Sequence, residues 1–351
     1  MKKLLVFIPE NIYVKYFVFI VQIEDENPGE TCQQLLNQGK IIFRGPLNTE
    51  NEIKNLITEI NPAAVAIRVL YGGDQFKDVL VYDKTYLDSL IELTRQSPLN
   101  IPVVIKLIQM IENIVPEIKI ILFFETAFFV DLPLRERIYA LDSSILNMDL
   151  KRYGYNGIYH KAAVEKTMTE NKAAKKIISI CLEPIPEITA VLNGKPVMVS
   201  SGSTPLEGLP GDTTSGEIDP GILITLQEKK ELSVETINNI LTRQSGLSAI
   251  AGEKVTIEDV FNNEDKYKIV LNVFIYHLLL NCGAAIAAMN GLDAIVFSGK
   301  YVDTAYILAH KLKAKISESG AGKESPSEHY LTEGLEKIIA KDYCKLIKTK
   351  L

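Results

Sequence analysis

The chain has 351 residues, 47% hydrophobic and 23% charged, which at ~150 residues per domain suggests roughly two domains with ample core. That balance excludes a disordered, collagen-like or small disulfide-stapled chain. Lys plus Arg is 38 against 44 for Asp plus Glu, a formal charge of −6, so general electrostatic capture of nucleic acid is not expected.

In chain order, residues 4–8 form a first expected strand, Pro9-Glu10-Asn11 a turn, and residues 12–23 a second strand. Both arms are rich in Val, Ile, Phe and Tyr, which suit a pleated, half-buried surface. The basic start at Lys2-Lys3 precedes an apolar run too short for a signal-peptide core. A helix is expected over 49–60, then a strand over 64–69 that ends at Tyr71-Gly72-Gly73. Residues 86–96 and 102–114 read as helical and 118–124 as a strand. This mixture indicates an α/β class.

The opening recurs near the middle. Lys175-Lys176 leads into a strand, then Cys181-Leu182-Glu183-Pro184-Ile185-Pro186-Glu187, then a strand over 188–192. Asn193-Gly194 is a type I′ turn signal, and residues 196–200 return. Two related domains are therefore expected. A helix follows over 233–241, and residues 269–292 contain no Lys, Arg, Asp or Glu. That run is long enough to span a bilayer, but Asn272, His277, Asn281, Gly283 and Asn290 interrupt it. A helix over 269–289 buried between domains or subunits is expected instead, with no membrane partner. The strand 294–297 precedes a polar linker over 317–327, and the tail 328–351 reads as a charged helix ending in a short strand over 345–351. The domains are expected at 1–150, 151–316 and 317–351, the last a linker and helical tail. Cys32, Cys181, Cys282 and Cys344 form no CxxC pair, which fits a reducing, cytoplasmic compartment and argues against a structural zinc site.

Five stretches carry chemistry. They are Ile67-Arg68-Val69-Leu70-Tyr71-Gly72-Gly73-Asp74, then Phe124-Glu125-Thr126-Ala127-Phe128-Phe129, then Arg152-Tyr153-Gly154-Tyr155-Asn156-Gly157-Ile158-Tyr159-His160-Lys161. Thr204-Pro205-Leu206-Glu207-Gly208-Leu209-Pro210 runs on to Ser215-Gly216-Glu217-Ile218-Asp219-Pro220, and Ala288-Met289-Asn290-Gly291-Leu292-Asp293-Ala294-Ile295-Val296-Phe297 follows. In this order and spacing the chain resembles the acetate kinase (acetokinase) family of the actin/sugar-kinase superfold, from residue 1 to about 310. The resemblance implies two ribonuclease-H-like α/β domains around a central cleft and a homodimer through the second domain, with the helix 269–289 as the surface. It also implies ATP and Mg²⁺ as the family's cofactors, and transfer of a γ-phosphoryl group to a short carboxylate, a reaction that rests on positioning and charge stabilisation.

Against that family pattern the phosphate chemistry looks removed. Where an Asn-Ala-Gly-Ser-Ser-Ser type loop is implied, Ile8-Pro9-Glu10-Asn11-Ile12-Tyr13 stands; where a His-Leu-Gly-Asn-Gly-Ser-Ser type loop is implied, 181–187 stands. Prolines delete amide donors, and Glu10, Glu183 and Glu187 are expected to repel a polyphosphate. The resemblance places Glu125 at the family's catalytic Asp and Phe129 at its companion histidine. Asn156, Asn100 and Thr214 stand at substituted substrate-site residues, the last in place of an arginine. Gly299 and Lys300 begin the late nucleotide loop. Arg68 is unchanged and His160 is the surviving second histidine of its motif, so Arg68, Glu125 and His160 are the remnant catalytic candidates. A structural reading stands beside each. Arg68 could serve an ion pair, Glu125 a cap or salt bridge, His160 a loop support, and Lys300 solvent. Glu207, Glu217 and Asp219 are expected to brace backbone, with no metal site.

Losing one preorganised donor costs ~3 kcal/mol, or ~10²–10³ in rate. Two dismantled loops therefore predict a weakly active or inactive pseudokinase that binds partners, another copy of itself or an active acetate kinase, and needs no cofactor. Two alternatives stay open: a divergent carboxylate kinase using ATP and Mg²⁺, and a small-molecule sensor.

Overall fold

The computed structural model describes residues 2–10, 12–21, 33–43, 46–97, 100–146, 150–318 and 326–350. They form two units, one of Met1–Val130 with Gly334–Leu351, the other of Asp131–Glu333. Cys32 lies outside the described residues.

The first unit is built on strands β1 (Lys2–Pro9), β2 (Tyr13–Val21), β3 (Gln33–Ile42), β4 (Ala64–Val69), β5 (Leu80–Val81) and β6 (Lys119–Phe124), in the order β3-β2-β1-β4-β6-β5. β1 pairs antiparallel with β2 and parallel with β4, which pairs parallel with β6. Leu4, Leu5, Val6 and Phe7 are all buried; because side chains alternate along a strand, both faces of β1 are covered. Helices α1 (Pro46–Ile60), α2 (Leu87–Glu92) and α3 (Ile101–Ile114) lie between the strands in sequence. α3 presents Ile101, Val104, Leu107, Ile108 and Ile111 inward, the spacing of one helix face.

The second unit starts with two short helices, α4 (Leu134–Arg137) and α5 (Ser143–Leu146), and then α6 (Gly157–Glu170). Its sheet has β7 (Lys176–Cys181), β8 (Glu187–Leu192), β9 (Lys195–Val199), β10 (Ala294–Ser298) and β11 (Ser327–Tyr330), in the order β11-β10-β7-β8-β9. β7, β8 and β9 form an antiparallel meander, and β10 and β11 add in parallel. This repeats the first unit, where β1, β2 and β3 form the meander and β4 and β6 the parallel extension. The β8–β9 turn has positive φ at both Asn193 and Gly194, as the type I′ signal predicts. Helices α7 (Pro220–Lys230), α8 (Val234–Arg243), α9 (Gly246–Ala251) and α10 (Ile257–Asn262) precede α11 (Lys268–Met289), and α12 (Ala305–Glu318) follows β10. α11 packs on the meander and buries Val270, Leu271, Phe274, Leu278, Cys282, Ala285 and Met289, while Ile269, Tyr276 and Leu280 on its other side are exposed. It is one helix long and apolar enough to cross a membrane, and one face of it is core.

Three expectations differ from the structure. Residues 131–150 group with the second unit, because Glu136 accepts a hydrogen bond from the Val199 N–H and Ile138 bridges to Lys151. The tail forms no strand over 345–351: α13 (Leu335–Lys350) is helical through that stretch, and its apolar face (Ile338, Ile339, Ala340, Tyr343, Cys344, Leu346) is buried against the first sheet. The strand of the tail is instead β11, within the stretch expected as linker and tail, and residues 319–325 of that linker lie outside the described residues.

Candidate functional site

In the first unit the parallel pairing of β4 and β6 sets Arg68 opposite Phe123, so Arg68 and the residue after β6, Glu125, meet at the carboxyl ends of the strands. Ligands of open α/β sheets bind at such ends. The Arg68 Nε donates to Glu125 Oε1 at 2.5 Å, with the Glu125 side chain 0% and the Arg68 side chain 16% exposed. The Gly72 N–H donates to Thr126 Oγ1 at 2.9 Å. Gly73 has φ of +58°, and a side chain at Gly72 would strike the Phe124 ring. This loop therefore needs its glycines to close over the pair. Phe129 is core. Asn100, half-buried, accepts from the N–H groups of Val103 and Val104 at the start of α3. At the first bend the strands run on through Pro9, paired with Val14, and the Glu10 N–H is engaged by the Tyr13 carbonyl at 2.8 Å. Glu10 itself is partly exposed, 3.9 Å from Lys15.

In the second unit the bend between β7 and β8 runs from Leu182 to Pro186. Pro184 and Pro186 have no N–H, and the Leu182 N–H is held by the Ser298 carbonyl at 2.8 Å. At most two amides of this bend, those of Glu183 and Ile185, are left to meet an anion. Glu183 Oε1 accepts from the Lys300 N–H at 2.7 Å, and the Tyr301 N–H donates to the Leu182 carbonyl. Gly299, at φ of +95°, lies so close to Leu182 that an added Cβ would be 2.8 Å from its carbonyl oxygen. The two loops are thus fastened to each other. Lys300 is exposed, with its ammonium 4.9 Å from the Tyr301 ring centroid.

Glu187 corrects an expectation. It does not face outward to repel anions. Its side chain is fully buried and accepts from the N–H groups of Tyr155 and Asn156, at 2.9 and 3.0 Å, beside the start of α6. The positive end of the helix favours a carboxylate there. His160 sits 3.2 Å away through Nε2, and its Nδ1 meets Ser179 Oγ at 2.7 Å. His160 is 0% exposed and positions α6 against the sheet; no reactant reaches it in this arrangement. Asn156, 8% exposed, stands at the N-terminus of α6, where its backbone carbonyl accepts from the His160 N–H and its side chain makes no cap. Thr214 is 5% exposed, and its hydroxyl finds no hydrogen-bond partner among the described residues. It sits against Gly211, whose added Cβ would lie 2.4 Å from it.

Sequence reasoning passed over two networks in this unit. Asp212 accepts from the Tyr301 hydroxyl at 2.7 Å and the Ile257 N–H at 2.9 Å; burial pushes its carboxyl up from the usual range in spite of both bonds. Glu207 accepts from the Tyr139 hydroxyl at 2.5 Å and from Arg152 Nη2 at 2.6 Å. Burial, then the bond to Glu207, pushes Tyr139 up to about 12. Arg152 was visible at the head of a motif, but neither Tyr139 nor Asp212 carries a local signal. Asp219 caps α7 by accepting from the Gly221 N–H, as expected, whereas Glu207 holds two side chains, Tyr139 and Arg152, rather than backbone. No cluster with metal-ligand geometry occurs among the described residues.

The β7–β8 bend therefore offers at most two outward amides, where a polyphosphate cradle uses a run of them. The architecture nonetheless has close structural counterparts. It matches the propionate kinase of Francisella tularensis with a TM-score of 0.84 at 22% identity, covering 97% of this chain and 99% of that one. It matches the Porphyromonas gingivalis acetate kinase at 0.81 and 23%, covering 99% and 100%. These likenesses place the fold in the actin/sugar-kinase class, a pair of ribonuclease-H-like α/β domains.

The family model for the acetokinase family matches residues 7–347, and the chain belongs to that family. The acetate kinase of Acetivibrio thermocellus is 32% identical over 260 residues, 72% of this chain but 65% of that protein. The acetate kinase of Agathobacter rectalis is 30% identical over 335 residues, 89% of this chain and 84% of that one. The match thus spans slightly under two thirds of the first of these curated relatives.

Proposed function

We propose that this acetokinase-family chain has little or no phosphoryl transfer and works in the cytoplasm as a binding and interaction protein, a homodimer through α11, with an active acetate kinase as a further candidate partner. The observation that carries the reading is the β7–β8 bend: two of its residues lack an N–H and a third is engaged by Ser298. Electrostatic preorganisation is the largest part of phosphoryl-transfer catalysis, and it is built from such donors. Thr214 in place of the family's arginine removes the charge that would hold the moving group. The test is a steady-state assay with ATP, Mg²⁺ and acetate or propionate. The expected rate is background, and turnover of ~1 s⁻¹, within the ordinary range of enzymes, would refute the proposal.

A second reading has one specific observation in its favour. Arg68 and Glu125 are held together at the strand ends where a carboxylate kinase would need them. In that reading ATP and Mg²⁺ are cofactors and Arg68→Ala abolishes a measurable activity. A sensor that binds a small molecule without transforming it would show neither turnover nor nucleotide binding, but a ligand-dependent rise in melting temperature.

A further inference from the structure

Away from the residues above, a cavity of about 280 Å³ lies in the first unit where the end of β3 meets α1 and α3. Ile53, Leu107 and Met110 form its buried apolar wall, with the buried Thr49 beside them, Phe43 and Val103 its half-buried rim, and Lys106 is exposed at its edge. Val103, Lys106, Leu107 and Met110 recur at i, i+3, i+4 and i+7, so one face of α3 looks into the space. Lys106 makes no ion pair among the described residues. The cavity falls just under the ~300 Å³ at which drug-sized ligands begin, which suits a narrow amphiphile and excludes a nucleotide. A sugar or a zwitterion would bury several polar groups against a wall that offers, apart from Thr49, only hydrocarbon.

We propose that this cavity binds an unbranched alkanoate of roughly six to eight carbons. Its hydrocarbon chain lies along Ile53, Leu107 and Met110, and its carboxylate meets the Lys106 ammonium. The site uses no residue of either phosphate bend, so it stands or falls apart from the loss of phosphoryl transfer.

The test is isothermal titration calorimetry of the full chain with alkanoates of increasing length. Each added methylene is expected to tighten Kd about 4-fold, levelling off near eight carbons. Lys106→Met keeps the aliphatic stem and is expected to weaken octanoate at least ~5-fold while leaving octanol binding unchanged. Val103→Phe is expected to abolish octanoate binding by filling the mouth. Absence of octanoate binding overturns the proposal, as does affinity independent of chain length. So does octanoate binding unchanged in Lys106→Met, a substitution at an exposed position that leaves the core intact.

Discussion

The carboxylate of Glu187 is cut off from water and accepts from two backbone N–H groups, with the His160 ring 3.2 Å away. Removing it would strand those amides, and a buried donor without an acceptor costs ~1–3 kcal/mol. Glu187→Ala is therefore expected to destabilise the protein by about 3 kcal/mol in urea unfolding, with Glu187→Gln losing less because one acceptor oxygen stays. An unchanged midpoint in Glu187→Ala would show that the amides turn elsewhere. The Arg68–Glu125 pair makes a second expectation. Arg68→Ala leaves a carboxylate at 0% exposure without its guanidinium, and breaking a buried pair from one side costs ~3–5 kcal/mol. A chemical-denaturation series would measure it, and a loss under 1 kcal/mol would mean that Glu125 finds solvent. Little of this was legible. Position 187 was readable as an acid in the wrong place for a phosphate loop. That it turns inward depends on where β8 begins and on the N–H groups of residues 155 and 156, which meet it only in the folded chain.

Elements were more legible than side chains, for a local reason. β4 is found over the stretch expected, and the Asn193-Gly194 turn forms because both residues tolerate positive φ. β3 went unread: Gln33-Gln34-Leu35-Leu36-Asn37-Gln38 has neither alternation nor β-branched residues, and only pairing with β2 makes it a strand. α6 was hidden because its pattern is not amphipathic; it is buried on several sides, against both β7 and β10. α11 yields the prediction at this scale. The exposed Ile269, Tyr276 and Leu280 lie opposite its core face, and a contiguous apolar strip of this kind on a protein surface marks an interaction site. Light scattering on a size-exclusion column is expected to give a dimer mass for the unaltered chain and a monomer mass for Leu280→Lys, with the melting temperature of the monomer little changed at low concentration. A monomer mass for the unaltered chain would sink the assignment.

At the scale of the whole molecule, the paired meanders are the feature the sequence announced best. Lys-Lys, strand, bend and strand occur twice, and five strands of each sheet follow the same order with the same parallel extensions, the first sheet adding the antiparallel edge strand β5. Hydrophobic runs and turns survive divergence because many sequences satisfy them, whereas a phosphate cradle demands particular small residues at particular places. The fold was thus readable in outline across the chain, while the division at residue 130 and the return of α13 to the first sheet were not. Both depend on contacts between segments far apart in sequence.

The most direct measurement is a calorimetric titration of the intact protein with ATP in the presence of Mg²⁺. With Glu10's amide closing a tight turn and the second bend reduced to at most two donors, no saturable heat is expected up to ~1 mM nucleotide. Saturable binding in the micromolar range would contradict the account.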